Sequence, residues 1–325
     1  MHTQKRRRLA NQIIWRLFIK LPILFAIGLL NKSAIAGDPV AVSHALGQTT
    51  VPASAKRVVT LFQGATDITL ALGVTPVATV ESWAEKPIYH YLRNRLPNVS
   101  VIGLETQPSL EDIAKLKPDL IIGSTFRNER IYDLLSYIAP TVAAKDIFSF
   151  RANTRLIGAA LGRQEKAAEL LAQVDRRIAN TRTRLYDTFK AGWPLSAAIL
   201  DFRSDHVRVY LADSFAGMIL SELGFRQPPK LAQTGWSLMK LTNKESMPVF
   251  DADIFFVMLR SDNASARRNY EDWSSHLLWK RLAAVKRGQV HMVNHVSWSL
   301  AGGILSAELM LDELEQTLSL PPGRE

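Results

Sequence analysis

Arginines and tryptophans recur just past the apolar runs of this 325-residue chain, and their chemistry is what a site would use. Glu81-Ser82-Trp83 follows the run 76–80, Thr125-Phe126-Arg127 follows 120–123, Arg203 follows 197–202, Arg260 follows 254–259, and His295-Val296-Ser297-Trp298 follows 289–293. A guanidinium offers planar, permanently charged donors to oxyanions, and an indole offers a broad, stiff apolar wall. Trp236, in the loop Gly235-Trp236-Ser237, and Trp298, beside Gly302-Gly303, join the set because loops do not carry large aromatics without reason. Trp83, Arg127, Arg203, Trp236, Arg260 and Trp298 together suit a bulky, oxygen-rich ligand. The competing account of each arginine is a solvated surface charge, and Trp273 and Trp279 read as helix-packing residues.

Catalytic constellations are weak by comparison. His291 and His295 are four apart, but 290–293 reads as a strand, so they share no helical face, which argues against a zinc pair. There is no HExxH, GxSxG or phosphate-binding glycine loop. The seven histidines are scattered, unlike the ligand cluster of a bare metal carrier. The chain has no cysteine, hence no disulfide, no thiolate metal site and no lipid-modified N-terminal Cys. Asp119 and Asp253 stand at strand starts, away from the expected cleft.

Such residues converge only if parallel strands bring their carboxyl ends together. The runs 58–62, 76–80, 99–103 and 120–123 alternate with helical patterns at 65–72, 110–115 and 131–137, after a polar lead-in at 37–56. The second half repeats the alternation, with strand patterns at 197–202, 207–211, 254–259 and 289–293 and helical patterns at 214–223, 243–247, 279–285 and 302–318. Ala65 to Gly73 and Ala216 to Gly224 have the same spacing, as do Glu111 to Asp119 and Glu245 to Asp253. Between the halves, a proline-free stretch rich in Ala, Leu, Arg, Lys, Glu and Gln predicts a helix over 164–189, roughly 38 Å long at ~1.5 Å per residue. The prediction is an α/β protein of two similar lobes with mostly parallel sheets, residues 37–163 and 191–325, joined by one long helix at 164–190. A small ligand belongs in the cleft between them.

Residues 1–36 read as an export signal: a basic start (Lys5, Arg6, Arg7, Arg8), an apolar run at 21–30 and the small-x-small site Ala34-Ile35-Ala36, with cleavage expected after Ala36. This segment holds seven of the 40 Lys+Arg and no acid, leaving 33 bases against 30 acids in the remainder. The whole-chain charge of +10 is therefore mostly a targeting feature, which removes the support for nucleic-acid binding.

The chain carries Arg57-Val58-Val59-Thr60-Leu61 with Gly64-Ala65-Thr66, then Ala71-Leu72-Gly73-Val74-Thr75-Pro76-Val77, Pro108-Ser109-Leu110-Glu111-Asp112-Ile113 and Lys117-Pro118-Asp119-Leu120-Ile121-Ile122. Ser214-Phe215-Ala216-Gly217 and Leu282-Ala283-Ala284-Val285-Lys286-Arg287-Gly288-Gln289-Val290 follow. In this order and behind an export signal, these stretches resemble the periplasmic substrate-binding proteins of ABC importers for ferric siderophores, a class that also includes haem and cobalamin binders. The resemblance implies a class III binding-protein fold with small hinge closure, a periplasmic monomer, and an inner-membrane ABC permease as partner. It implies no permanently bound cofactor, because iron arrives wrapped in its chelator. Arg127 falls where the class turns an arginine toward the chelate, Trp298 where it places an aromatic contact, and Arg203 and Arg260 are carried over beside them. Glu111 and Glu245 are implied to dock on the two permease subunits, although carboxylates at helix starts also have a local explanation in the helix dipole. With Trp83, Trp236 and Trp298 as walls, a near-neutral hydroxamate chelate is favoured; several convergent arginines would favour a catecholate or carboxylate chelate instead. Haem or cobalamin is the alternative, with His295 as the residue that would support haem. The rival from another class is a periplasmic hydrolase or chelatase, for which no nucleophile and base pair is found.

Overall fold

The computed structural model describes residues 38–232, 235–260 and 263–323, so the export segment and its cleavage site after Ala36 lie outside the described residues. The first strands are β1 (Val40–His44) and β2 (Gly47–Val51), followed by β3 (Val58–Thr60), β4 (Ala78–Glu81), β5 (Ser100–Leu104), β6 (Gln107–Pro108), β7 (Leu120–Ser124) and β8 (Thr141–Ala144). The second half contributes β9 (Ala197–Phe202), β10 (Val207–Tyr210), β11 (Leu238–Leu241), β12 (Ile254–Leu259) and β13 (Val290–Val293). One sheet has the order β6-β5-β4-β3-β7-β8 and the other β11-β10-β9-β12-β13. At the centre of each, β3 pairs parallel with β7 and β9 parallel with β12. Every residue of β3, β7 and β9 is buried, as strands covered by helices on both faces must be.

The internal repeat is visible as one device used twice. The Asp119 carboxylate, before β7, accepts from the backbone nitrogens of Lys56 and Arg57 at 2.8 and 2.9 Å, just before β3. Asp253, before β12, accepts from the Ser196 nitrogen and hydroxyl at 2.8 and 2.7 Å, just before β9. In both lobes an acid thus ties the start of one central strand to the start of its neighbour.

The structure adds detail at three places that the sequence pattern leaves open. Residues 38–56 are not a plain lead-in: β1 and β2 form an antiparallel hairpin that buries Val42 and Val51 in the core, with Ala45 donating to the Ala143 carbonyl at 3.0 Å. The second sheet is mixed, because the short link between β9 and β10 folds them into an antiparallel hairpin, and β11 pairs antiparallel with β10. A four-residue link permits a hairpin, whereas a parallel return requires a crossover. The helical pattern at 243–247 appears as a tighter 3-10 turn, Lys244–Val249, which holds Pro248, and that at 279–285 is divided into a 3-10 turn, Trp279–Arg281, and a short α-helix, Ala283–Lys286.

The connecting helix Gln164–Phe189 has 26 residues and buries Ala167, Leu171, Val174, Ile178, Thr181 and Leu185, a stripe at alternating steps of three and four. It is also held by ion pairs. Arg151 of the helix Phe150–Ala160 meets Asp175 at 2.7 Å and Glu222 of the helix Phe215–Leu223 at 2.6 Å, so one guanidinium bridges the lobes. Arg177 meets Glu308 at 2.6 Å on the C-terminal helix Ile304–Thr317. Phe150 and Phe215 touch edge to face at 5.7 Å in a core that runs continuously through both lobes and this helix. Asp67, on the helix Gln63–Ala71 and fully buried, accepts from the Leu305 and Ser306 nitrogens at 2.8 and 3.0 Å and from the Tyr91 hydroxyl at 2.7 Å. The lobes are welded at the back. Among the described residues no helix is long and apolar enough to cross a membrane.

Candidate functional site

A cavity of about 380 Å³ opens at the carboxyl ends of both sheets, within the range usual for small-ligand sites. Trp83 enters it just past β4, Glu105 past β5, Arg127 past β7, Arg203 past β9 and Arg260 past β12. Arg208 and Tyr210 enter from β10 itself.

Each arginine is aimed by local structure. Arg127 sits in the helical turn Thr125–Asn128 directly after β7. That turn is locked by the buried Asn128 side chain, whose Oδ1 accepts from the Ser124 nitrogen at 3.1 Å. Residue 123 has to be small, since a Cβ on Gly123 would stand 2.9 Å from the same oxygen. The Arg127 Nε donates to Glu105 Oε1 at 2.6 Å, and the guanidinium carbon lies 5.5 Å from the Trp83 ring and 4.7 Å from the Phe126 ring. Glu105 is 3% exposed, and its second oxygen accepts from Trp83 Nε1 at 3.2 Å and from the Gln63 nitrogen at 3.3 Å. In the other lobe the Arg203 Nε donates to Asp201 Oδ2 at 2.8 Å, Asp201 being wholly buried. The turn carrying Arg203 is held by Asn269, which donates to the carbonyls of Arg203 and His206 at 2.8 and 3.2 Å. Arg208 Nε donates to His206 Nε2 at 3.3 Å, and Arg260 donates to the Trp83 carbonyl at 3.3 Å across the cleft.

Burial opposes charge on Asp201, but His295, with Nε2 3.4 Å from its carboxylate, and Arg203 outweigh it and hold the carboxyl below its ordinary range. Burial is the main cause that pushes the Tyr210 phenol up, and its oxygen accepts from the Ser299 hydroxyl at 2.7 Å. His295 lies behind Asp201 and is not in the lining. No group of three or more His, Cys, Asp or Glu among the described residues is arranged to hold a metal ion.

Of the six residues singled out from the sequence, Trp83, Arg127, Arg203 and Arg260 line the cavity together. Trp298 does not. It is 1% exposed, donates from Nε1 to Glu313 at 2.9 Å and packs on Phe256 with ring centres 4.6 Å apart. The reason is the wide helical turn Val296–Leu300, which rotates Trp298 into the core and leaves Ser299, Leu300, Ala301 and Gly302 at the cavity. Trp236 is 67% exposed and outside the lining. Glu111 and Glu245 are exposed on the surface; Glu111 pairs with Lys115 at 2.7 Å, and the Glu245 nitrogen is capped by Asn243 at 3.0 Å. Sequence reasoning missed Glu105, Arg208 and Tyr210. The last two sit two apart on a strand and so share a face, a signal that becomes legible once 197–210 is read as a hairpin.

Two lobes joined by a helix, with a cavity lined from both, match a known design. The sequence profile of the periplasmic binding protein family matches residues 58–294. The chain belongs to that family. Among its relatives, the achromobactin-binding periplasmic protein of Dickeya dadantii is 52% identical over 269 residues, covering 82% of this chain and 88% of that protein. The probable siderophore-binding lipoprotein YfiY of Bacillus subtilis is 40% identical over 88% of this chain and 89% of its own. Among solved structures, Staphylococcus aureus SirA complexed with staphyloferrin B superposes with a TM-score of 0.84 at 41% identity, over 87% of this chain and 99% of that one. These family members are substrate-binding proteins.

Proposed function

We propose that this protein captures an anionic ferric siderophore between its lobes in the periplasm and delivers it, as a monomer, to an inner-membrane ABC permease. The observation that carries this is the set of four arginines, Arg127, Arg203, Arg208 and Arg260, in one cavity. Charge-assisted bonds from guanidinium to oxyanion are about twice as strong as neutral ones, and a near-neutral chelate would leave much of that potential unused. Of the tryptophan walls that favoured a hydroxamate, Trp83 stays at the cavity beside Phe62, Phe126, Phe148 and Tyr210, and against four arginines the balance moves to a carboxylate or catecholate chelate. A relative named for achromobactin, one named as siderophore-binding and a structural neighbour complexed with staphyloferrin B support a siderophore over haem or cobalamin. Export rests on the basic and apolar start of the sequence, and the exposed Glu111 and Glu245, one from each lobe, are the proposed permease contacts.

The test is titration of the purified protein with ferric citrate, a ferric triscatecholate and a ferric trihydroxamate, read by tryptophan fluorescence. Saturable quenching by an anionic complex at one equivalent is expected, with Trp83 as the reporter. Tighter binding of the trihydroxamate than of either anionic complex would refute the assignment of ligand charge, and binding of haem alone would refute the siderophore assignment.

A further inference from the structure

Two of the cavity arginines are built alike, one in each lobe. Arg127 and Arg203 each spend Nε on a buried carboxylate, Glu105 at 2.6 Å and Asp201 at 2.8 Å, which leaves the terminal nitrogens of each guanidinium for a ligand. The carboxylates are 3% and 0% exposed, so their charge is little screened by water. Placing two acids beneath an anion site has an electrostatic cost: each weakens the attraction of its arginine for an incoming anion. If orientation were the sole requirement, an amide or carbonyl oxygen would anchor Nε equally well.

We infer that Glu105 and Asp201 are specificity-determining residues that set how negatively charged a chelate the cavity prefers, aiming Arg127 and Arg203 while moderating their field. The inference rests on the anionic-siderophore assignment above. Between charges several ångströms apart at a partly desolvated site, one unit of charge changes the attraction enough to reorder ligands that differ by several units. The acids therefore lower affinity for the most highly charged chelates relative to less charged ones.

The experiment measures Kd for a ferric triscatecholate and a ferric trihydroxamate with wild type, Glu105→Gln, Asp201→Asn and Glu105→Ala. The amides keep an oxygen for Nε and remove the charge. Each is expected to raise the preference for the triscatecholate, as a ratio of Kd values, by about tenfold, equal to about 1.4 kcal/mol. Glu105→Ala, which also releases Arg127 and Trp83, is expected to weaken binding of both complexes. A ratio unchanged from wild type in the amide variants, with affinities equal or uniformly lower, would overturn the inference while leaving the proposed function standing. Failure of wild type to bind either complex or ferric citrate would instead overturn the proposed function, and this inference with it. Melting curves verify folding, and if Asp201→Asn does not fold, Glu105→Gln decides the matter alone.

Discussion

Replacing Arg127 with alanine does more than remove one donor, because it strands the carboxylate that Arg127 neutralises. The lost bonds to an anionic ligand are worth about 1.5–3 kcal/mol, the usual range for hydrogen bonds to a charged group, or roughly 10- to 150-fold in Kd. Glu105, 3% exposed and then paired only with Trp83 Nε1 and the Gln63 nitrogen, adds repulsion toward the same ligand. The expected loss therefore lies at or above the top of that range. The fold should lose about 1–3 kcal/mol as well, the cost of a buried acceptor deprived of its partner. A second substitution separates the two effects: in Arg127→Ala/Glu105→Gln the repulsion is gone, and affinity should recover by about tenfold over the single variant. The assay is fluorescence titration with the tightest anionic ferric complex, alongside thermal melts of wild type, Arg127→Ala, Glu105→Gln and the double variant. An Arg127→Ala protein of unchanged affinity would return this residue to a surface charge. A double variant no better than the single one would show that Glu105 exerts no field on the ligand.

Burial pushes the Asp67 carboxyl up to about 6, against bonds from Tyr91, Leu305 and Ser306 that favour its charge. The native state thus holds this proton more tightly than the unfolded chain, so the stabilisation is complete below about pH 4 and is lost as pH rises through about 6, a contribution of about 3 kcal/mol. Chemical denaturation from pH 4 to 7 should show this slope, and Asp67→Asn should flatten it. Trp298→Ala should cost about 3–5 kcal/mol of stability, as large-to-small core changes do, visible as a lowered Tm, whereas Trp83→Phe should cost about 1 kcal/mol, the lost Nε1 bond to Glu105, and abolish most ligand quenching. Glu111→Ala with Glu245→Ala should leave affinity in solution intact and slow siderophore-dependent growth; normal growth at wild-type protein levels would confine both residues to helix capping.

What the sequence determines by itself is whatever depends on local pattern. Apolar runs of strand length, a proline-free amphipathic stretch at 164–189 and the repeated spacings specify two α/β halves and a connecting helix, since burial period and chain stiffness are local properties. The position of a residue just past a strand is equally local, which is why Trp83, Arg127, Arg203 and Arg260 are found at the cavity without knowledge of the fold. The direction of a side chain beyond the strand end is not local. A wide turn at Val296–Leu300 sends Trp298 into the core, and antiparallel pairing of β9 with β10 brings Arg208 and Tyr210 to the cavity. Glu105 and Arg127 are 22 residues apart in the chain, and their 2.6 Å contact exists because β5 and β7 run parallel and end at the same carboxyl end of one sheet. Tertiary packing alone decides such pairings, because the free energy that selects them comes from desolvation and charge neutralisation between segments whose sequences carry no record of each other.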